Sequence, residues 1–205
     1  MKPTATTLAV ILAAGSGSRM GSHQCKQLLP IAGKPLLQHV IDAAVNSRCS
    51  HVLTVLGAHE ERIRGSISFN DTTTISNPIW CEGISSSIRT AVRHAQSQPF
   101  SIDAAVFLLG DQPLITSATI DRLLDKLLPG QPCIAASRYR GCIGVPTVFG
   151  AHHFAELLQL HGDIGARVLL RKYQDTISTI DLDENFDIDT NEDYERVLSS
   201  QSVAN

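Results

Sequence analysis

Residues 8–21 have the sequence LAVILAAGSGSRMG, and this stretch predicts both the fold class and the position of a ligand site. Residues 8–14 are apolar without alternation, as in a strand buried on both faces of a parallel sheet. The loop that follows is built of small residues, and its glycines let backbone N–H groups approach a ligand closely. Arg19 in the loop and Lys26 beyond it supply positive charge that suits a polyphosphate. We therefore expect this strand to end in a cradle for an anion.

A plain strand-to-helix turn with a surface arginine would use the same residues. The glycines at 15, 17 and 21 match neither G-x-G-x-x-G nor G-x-x-x-x-G-K-[ST], the two standard nucleotide-binding patterns. Both interpretations of the loop therefore stay open on spacing alone.

The composition favours a single globular domain over residues 1–205. The hydrophobic share is 43% and the net charge is −3, which supports neither a nucleic acid nor an anionic membrane as partner. The five cysteines are widely spaced without a C-x-x-C pair, which argues against a disulfide framework or a zinc site. The first apolar run is too short to span a membrane. We expect a cytoplasmic enzyme or binding protein.

Strand-like and helix-like segments alternate along the chain. Apolar or β-branched runs predict strands at residues 8–14, 51–56, 72–76, 104–109, 133–137, 145–149 and 176–182. Apolar residues at helical spacing predict helices at residues 35–45, 60–67, 83–95, 116–128, 151–160, 164–173 and 191–198. This alternation predicts an α/β fold with a mostly parallel sheet, in which ligands lie outside the carboxyl ends of the strands.

Two acidic motifs are candidates for a metal site. Asp111 comes just after the apolar strand 104–109, and a carboxylate there suits Mg²⁺ together with phosphate oxygens. Asp187 and Asp189 share one face of an extended segment and could complete such a site. Each motif also has a purely structural explanation, because Asp111 can support a turn and Asp189 can cap the last helix.

Other polar motifs restrict the chemistry. Ser85, Ser86 and Ser87 open the helix predicted at 83–95, where they could hold a base or a phosphate, or cap the helix. No H-E-x-x-H or G-x-S-x-G pattern occurs, which excludes a typical zinc hydrolase and a serine nucleophile elbow.

Six motifs follow one another along the chain. They are LAAGSGSRMG at 12–21, KQLLP at 26–30, NPIWCEGISSSIR at 77–89, LLGDQP at 108–113, GDIGAR at 162–167 and DIDT at 187–190. In this order they resemble the MobA-like nucleotidyltransferases and, within that group, the molybdenum cofactor cytidylyltransferases. The pair Ala13-Ala14 fits the cytidylyl branch better than the guanylyl branch, which usually has L-A-G-G there.

The resemblance implies a Rossmann-like three-layer sandwich of the nucleotide-diphospho-sugar-transferase type. It implies Mg²⁺-dependent transfer of CMP from CTP to the terminal phosphate of molybdopterin cofactor, with release of pyrophosphate and a molybdoenzyme as client. The family's catalytic positions correspond to Arg19, Lys26 and Asp111, and its metal ligands to Asp111 and Asp189. Its nucleotide-binding positions correspond to Ala13, Ala14, Gly15, Ser16, Gly17, Gly83 and Ser87, and Asp163 and Arg167 lie toward the pterin.

Two positions depart from the family pattern. Cys25 replaces a polar residue, and Thr147 replaces an aliphatic residue and could mark a different acceptor.

Two other functions stay open. One alternative is a related nucleotidyltransferase that uses GTP or another phosphate acceptor. The other is a non-catalytic chaperone that hands finished cofactor to a molybdoenzyme.

Overall fold

The seven strands that the sequence predicts are present in one sheet. A computed structural model describes residues 5–17, 25–127, 133–139, 141–182, 187–188 and 190–202. The strands are β1 (Thr7–Ala13), β2 (Pro30–Ile31), β3 (Lys34–Pro35), β4 (His51–Leu56), β5 (Thr73–Ser76), β6 (Ala104–Leu109), β7 (Ile134–Tyr139), β8 (Cys142–Gly150) and β9 (Ser178–Asp181). Strands β2 and β3 form a separate short hairpin, which the residue pattern does not predict.

Strand β1 lies inside the sheet, whose order is β5-β4-β1-β6-β8-β7-β9. All seven of its residues are buried. Val10 lies opposite Leu53 of β4 and Phe107 of β6, in two parallel ladders. Strand β8 is antiparallel to β6 and β7, whereas the other neighbouring pairs in this sheet are parallel. The carboxyl ends of β1, β4 and β6 therefore lie at the same end of the sheet.

Helices cover both faces of the sheet. They are α1 (Leu36–Val45), α2 (Glu60–Arg64), α3 (Ile84–Gln96), α4 (Ser117–Leu124), α5 (Phe154–Leu157), α6 (Arg167–Lys172) and α7 (Asn191–Ser202). One core contains apolar residues of α3, α5 and α6, and the other contains residues of α1, α2 and α4. Side chains of β1 alternate between them, with Val10 in the first core and Ile11 in the second. This confirms the predicted three-layer Rossmann-like sandwich of the nucleotide-diphospho-sugar-transferase type.

Several helices differ from their predicted bounds: α2 ends at Arg64 and not at 67, and α4 ends at Leu124 and not at 128. The two helices after β8 differ in their starts as well. Residues 151–160 begin with a 3₁₀ turn, Ala151–His153, and α5 is a single turn after it. Gly162 and Gly165 have φ angles of +67° and +61°, so α6 starts at Arg167 and not at residue 164. No helix in the described ranges is both long and apolar enough to cross a membrane.

Glu156 joins α5 to α6, and its protonation links stability to pH. Its carboxylate accepts hydrogen bonds from Lys172 Nζ and from Tyr173 Oη, the latter at 2.7 Å. The Lys172 bond, aided by Tyr173, lowers the pKa of Glu156 from the usual 4.5 to about 2. Because the pKa is lower in the folded state, this stabilisation is complete above pH 4.5 and is lost as the pH falls toward 2.

We expect Glu156→Gln to lower the free energy of unfolding at pH 7 and to matter progressively less as the pH falls from 5 to 3. Urea unfolding of both proteins at each pH measures the difference. Glu195→Gln changes an exposed carboxylate of α7 and serves as the control, with little effect at any pH. A deficit for Glu156→Gln that is equally large at pH 7 and pH 3 would contradict the assignment.

Candidate active site

A cavity of about 560 Å³ opens where β1 and β6 end. The predicted site residues that line it are Ala14, Gly15, Ser16, Gly17, Lys26, Gly83, Ser87, Asp111, Asp163 and Arg167. The side chain of Ala13 lies in the core behind this wall, close to Gly110. Arg19 and Asp189 lie outside the described residues. The structure therefore gathers motifs from distant parts of the sequence around one cavity.

The loop after β1 forms one wall of the cavity. Gly17 has a φ of +65°, and a Cβ at this position would lie 3.1 Å from Lys26 Cβ. A side chain here would be strained and would also press on the lysine. Glycine at 17 therefore lets the loop pass directly over Lys26.

Four consecutive carbonyl oxygens of this loop are held by hydrogen bonds. Gln27 Nε2 donates to Ala13 O at 3.3 Å and to Gly15 O at 2.9 Å. The N–H of Ala58 donates to Ala14 O at 3.0 Å. His59 Nε2 lies 3.1 Å from Ser16 O, and it must carry the proton because a carbonyl oxygen can only accept.

An ion pair joins the loop side of the cavity to the end of β6. Lys26 Nζ lies 2.7 Å from Asp111 Oδ2, and the lysine side chain is only 8% exposed. The other carboxylate oxygen, Asp111 Oδ1, is buried and has no hydrogen-bond partner within the described part of the chain. A buried carboxylate oxygen without a partner is costly, so this atom is suited to a bound cation.

Asp187 supplies a second carboxylate beside Asp111. Gln112 Nε2 donates to Asp187 Oδ1 at 2.7 Å, and the N–H of Ile188 donates to Asp111 O at 3.2 Å. These two bonds hold residues 187–188 against the end of β6, and Asp187 lines the cavity. Of the acidic pair left open by the sequence, Asp187 is the one that the structure shows at the site.

Another wall of the cavity is formed by the segment that leads into α3. Gly83 has a φ of +96°, and a Cβ on it would lie 2.8 Å from the carbonyl carbon and oxygen of Gly162. Ile84 N–H donates to Asp163 Oδ1, and Ser85 N–H donates to Gly162 O, both at 3.2 Å. The start of α3 is thus packed backbone to backbone against residues 162–163.

The serines at the start of α3 serve mainly to fix this segment. The amide of buried Asn77 donates to Ser86 Oγ at 2.8 Å and to Ser87 Oγ at 3.0 Å. Ser86 Oγ donates in turn to Gly83 O at 2.8 Å. The N-cap of α3 is Gly83 and none of the serine side chains caps the helix, so the capping interpretation of the serines is wrong. Ser87 lines the cavity, and its contact with a ligand stays a prediction.

Arg89, in α3, links Glu82 of the cavity lining to Leu160, which precedes α6. It is buried, and its guanidinium donates to Leu160 O at 2.5 Å and to Glu82 Oε2 at 2.6 Å. Glu82 lines the cavity. The orientation of this carboxylate therefore depends on an arginine that does not itself line the cavity.

The two departures from the family pattern have local explanations. Cys25 Sγ donates to Gln27 Oε1 at 3.4 Å, and burial raises the pKa of its thiol. Thr147 is buried, and its hydroxyl donates to Gly144 O at 2.8 Å. Neither residue lines the cavity.

Carboxylates outnumber cations around the cavity. The charged lining residues that the structure describes are Glu82, Asp111, Asp163 and Asp187 against Lys26 and Arg167. Across the described ranges, no group of three or more His, Cys, Asp or Glu side chains is placed to hold a metal ion. Any metal at this site would need part of its ligands from a substrate or from water.

Sequence reasoning gave no role to Gln27 and His59, which hold the loop. Gln27 stands within the quoted KQLLP motif, so its place beside Lys26 was a usable signal. His59 follows β4 by three residues, and nothing in its sequence surroundings indicates a contact with the loop after β1. Residues 80–82 also line the cavity and include the chain's one tryptophan, Trp80.

A family model described as the MobA-like NTP transferase domain matches residues 9–177. The chain belongs to this family. The match includes both strand ends, the loop after β1 and the start of α3, so it covers the lining of the cavity except Asp187.

Curated relatives of this MobA-like domain include bifunctional proteins named GlmU. The protein from Pseudomonas aeruginosa strain LESB58 is 38% identical over 123 residues, which are 60% of this chain and 26% of the relative. The protein from Bacillus subtilis strain 168 is 32% identical over 121 residues, or 58% of this chain and 25% of the relative. The chain therefore spans about a quarter of the length of these relatives.

Solved structures match nearly the whole chain. Rv0371c from Mycobacterium tuberculosis H37Rv has a TM-score of 0.81 at 29% identity, covering 96% of this chain and 99% of that one. A nucleotidyl transferase from Methanothermobacter has a TM-score of 0.82 at 21% identity, covering 98% and 99%. At that identity the second match shows the fold alone.

We expect Gly83→Ala to destabilise the domain by about 2–4 kcal/mol, because it adds backbone strain and a collision with backbone atoms. Gly141→Ala is the matched control, since its φ is +84° and nothing lies within 4 Å of an added Cβ. Gly141→Ala should lower the free energy of unfolding by only about 1 kcal/mol. Urea unfolding measures the loss of stability in each variant. Equal losses for Gly83→Ala and Gly141→Ala would show that the contact with Gly162 is unimportant.

Proposed function

We propose that this MobA-like domain transfers CMP from CTP to a terminal phosphate of molybdopterin cofactor and releases pyrophosphate. The observation that carries nucleotidyl transfer is the pair Lys26–Asp111 in the cavity, with Asp111 Oδ1 buried and unpartnered among the described residues. The family match and the position of the cavity at the strand ends support it.

The charges of the cavity support a divalent metal ion. Among the described residues, four lining carboxylates stand against two cations, an excess of negative charge that an accompanying cation would offset when a triphosphate binds. Asp111 and Asp187 present hard oxygen ligands, which fit Mg²⁺ or Mn²⁺. A related protein, Rv0371c, has been solved as a complex with manganese. In this proposal Asp111 binds the metal, together with Asp187 or Asp189, and the metal supplies compensation of phosphate charge.

The chain's own groups perform positioning and charge compensation. The N–H groups of Gly15, Ser16 and Gly17 hold phosphate oxygens, and Lys26 and Arg19 neutralise charge that develops on them. An oxygen of the acceptor phosphate attacks the α-phosphorus of CTP. The new P–O bond forms as the bond to the bridging oxygen breaks, and the leaving oxygen carries the electron pair into pyrophosphate. No protein nucleophile is required.

The choice of CTP and of the acceptor rests on the sequence motifs. Ala13 and Ala14 match the cytidylyl branch, and Ala14 lines the cavity where Gly57 leaves room for it. Gly83 and Ser87 are assigned to the nucleoside. Asp163 and Arg167, which also line the cavity, are assigned to the pterin side.

The 38% identity to a GlmU protein favours a second candidate, the same chemistry with another nucleotide or phosphate acceptor. The two candidates share the Lys26–Asp111 pair and differ only in what the remaining walls bind. Substrate comparison is therefore the test that separates them.

With molybdopterin cofactor and Mg²⁺, we expect CTP to give faster pyrophosphate release than GTP, ATP or UTP. EDTA should abolish the release, and added Mg²⁺ or Mn²⁺ should restore it. A higher rate with GTP, or with a sugar phosphate as acceptor, would favour the second candidate. Tight binding of finished cofactor without pyrophosphate release from any triphosphate would indicate a chaperone.

We expect Asp111→Asn and Lys26→Met each to lower turnover by about 10²- to 10³-fold, because each removes charge from the site of transfer. Asp42→Asn is the control. It breaks the exposed Lys34–Asp42 pair, which has an N–O distance of 2.6 Å and lies outside the cavity lining. Turnover of Asp111→Asn equal to that of Asp42→Asn would refute the assigned role of Asp111.

A further inference from the structure

In the loop after β1, the carbonyl oxygens of three consecutive peptide groups are held by hydrogen bonds. In a trans peptide the carbonyl of one residue and the N–H of the next point in opposite directions. The only cis bond among the described residues is Val145–Pro146. Holding the carbonyls of Ala14, Gly15 and Ser16 therefore directs the N–H groups of Gly15, Ser16 and Gly17 the other way.

Each of these three carbonyls has its own donor. Ala58 N–H holds Ala14 O, Gln27 Nε2 holds Gly15 O and His59 Nε2 holds Ser16 O, at 3.0, 2.9 and 3.1 Å. The amides of residues 15–17 donate to no oxygen within the described ranges. Within the described part of the chain nothing occupies these amides, and the direction of each is set by one identified donor.

Of the three donors, His59 is the one that can be tested by substitution without altering the lining of the cavity. Gln27 itself lines the cavity, and Ala58 acts through its backbone, so neither can be changed without touching the site or the chain. His59 is half-buried at the start of α2 and does not line the cavity. An effect of His59 on ligand binding must pass through Ser16 and the Gly17 amide.

We propose that His59 is a positioning residue, which aims the Gly17 N–H at the phosphates of the bound nucleotide by holding Ser16 O. This inference rests on the proposed function, because that function supplies the phosphates. A well-oriented hydrogen bond from an N–H to a charged oxygen contributes to the free energy of binding. Loss of this hydrogen bond lowers affinity about tenfold. Either charge state of the imidazole can donate from Nε2, so this role requires no change of protonation.

The test compares His59→Phe with His39→Phe. His39 Nε2 lies 2.8 Å from Ile31 O, so it makes the same type of bond to a backbone carbonyl, at a place away from the cavity lining. Calorimetric titration with CTP, GTP and inorganic tripolyphosphate, each with Mg²⁺, measures affinity. We expect His59→Phe to bind CTP, GTP and tripolyphosphate about tenfold more weakly than the wild type binds each of them, because the Gly17 N–H contacts phosphate oxygens, which all three ligands carry.

His59→Gln keeps a donor at a similar position and should restore most of the affinity, while thermal unfolding confirms that each variant is folded. Wild-type affinity in folded His59→Phe would overturn the role of His59 and leave the proposed function standing. An equal loss in His39→Phe would also overturn it, since the effect would then be general. If the wild type binds no triphosphate and no tripolyphosphate, the proposed function fails and this inference fails with it.

Discussion

The parallel pairing of β1 with both β4 and β6 is the constraint on which the rest of the site depends. Because all three strands run the same way, the loop after β1, the residues after β4 and Asp111 after β6 meet at one end of the sheet. The Lys26–Asp111 pair and the His59–Ser16 bond both cross between these strand ends. Neither contact would form if one strand were reversed.

The cavity combines two opposite electrostatic surfaces. In the proposed function, residues 15–17 offer backbone N–H groups to an anion, whereas Asp111 and Asp187 offer carboxylates to a cation; all five residues line the cavity. A nucleotide triphosphate with a divalent metal ion carries both charges and so matches both surfaces at once. A bare anion or a bare cation would satisfy only one of them.

The sequence predicted the central strands well and the connections poorly. Residues 51–56 and 104–109 were predicted as the structure has them, because long apolar runs have few alternatives to a buried strand. The helix predicted at 151–160 was wrong in length, since its periodicity did not reveal the 3₁₀ turn. The motifs led to charged residues that line the cavity, Lys26, Asp111, Asp163 and Arg167, but not to the donor His59, because its partner is a carbonyl whose position depends on the fold.

Asp111 and Asp187 lie together in the cavity although they are far apart in the order of synthesis. Asp187 reaches the cavity through bonds to Gln112 and Asp111, partners about 75 positions earlier in the chain. During synthesis the sheet from β1 to β6 can pair long before this segment leaves the ribosome. The second carboxylate therefore joins the first only after about 75 further residues have been added, so a nascent domain has the loop after β1 and Asp111 before it has both carboxylates of the proposed metal site.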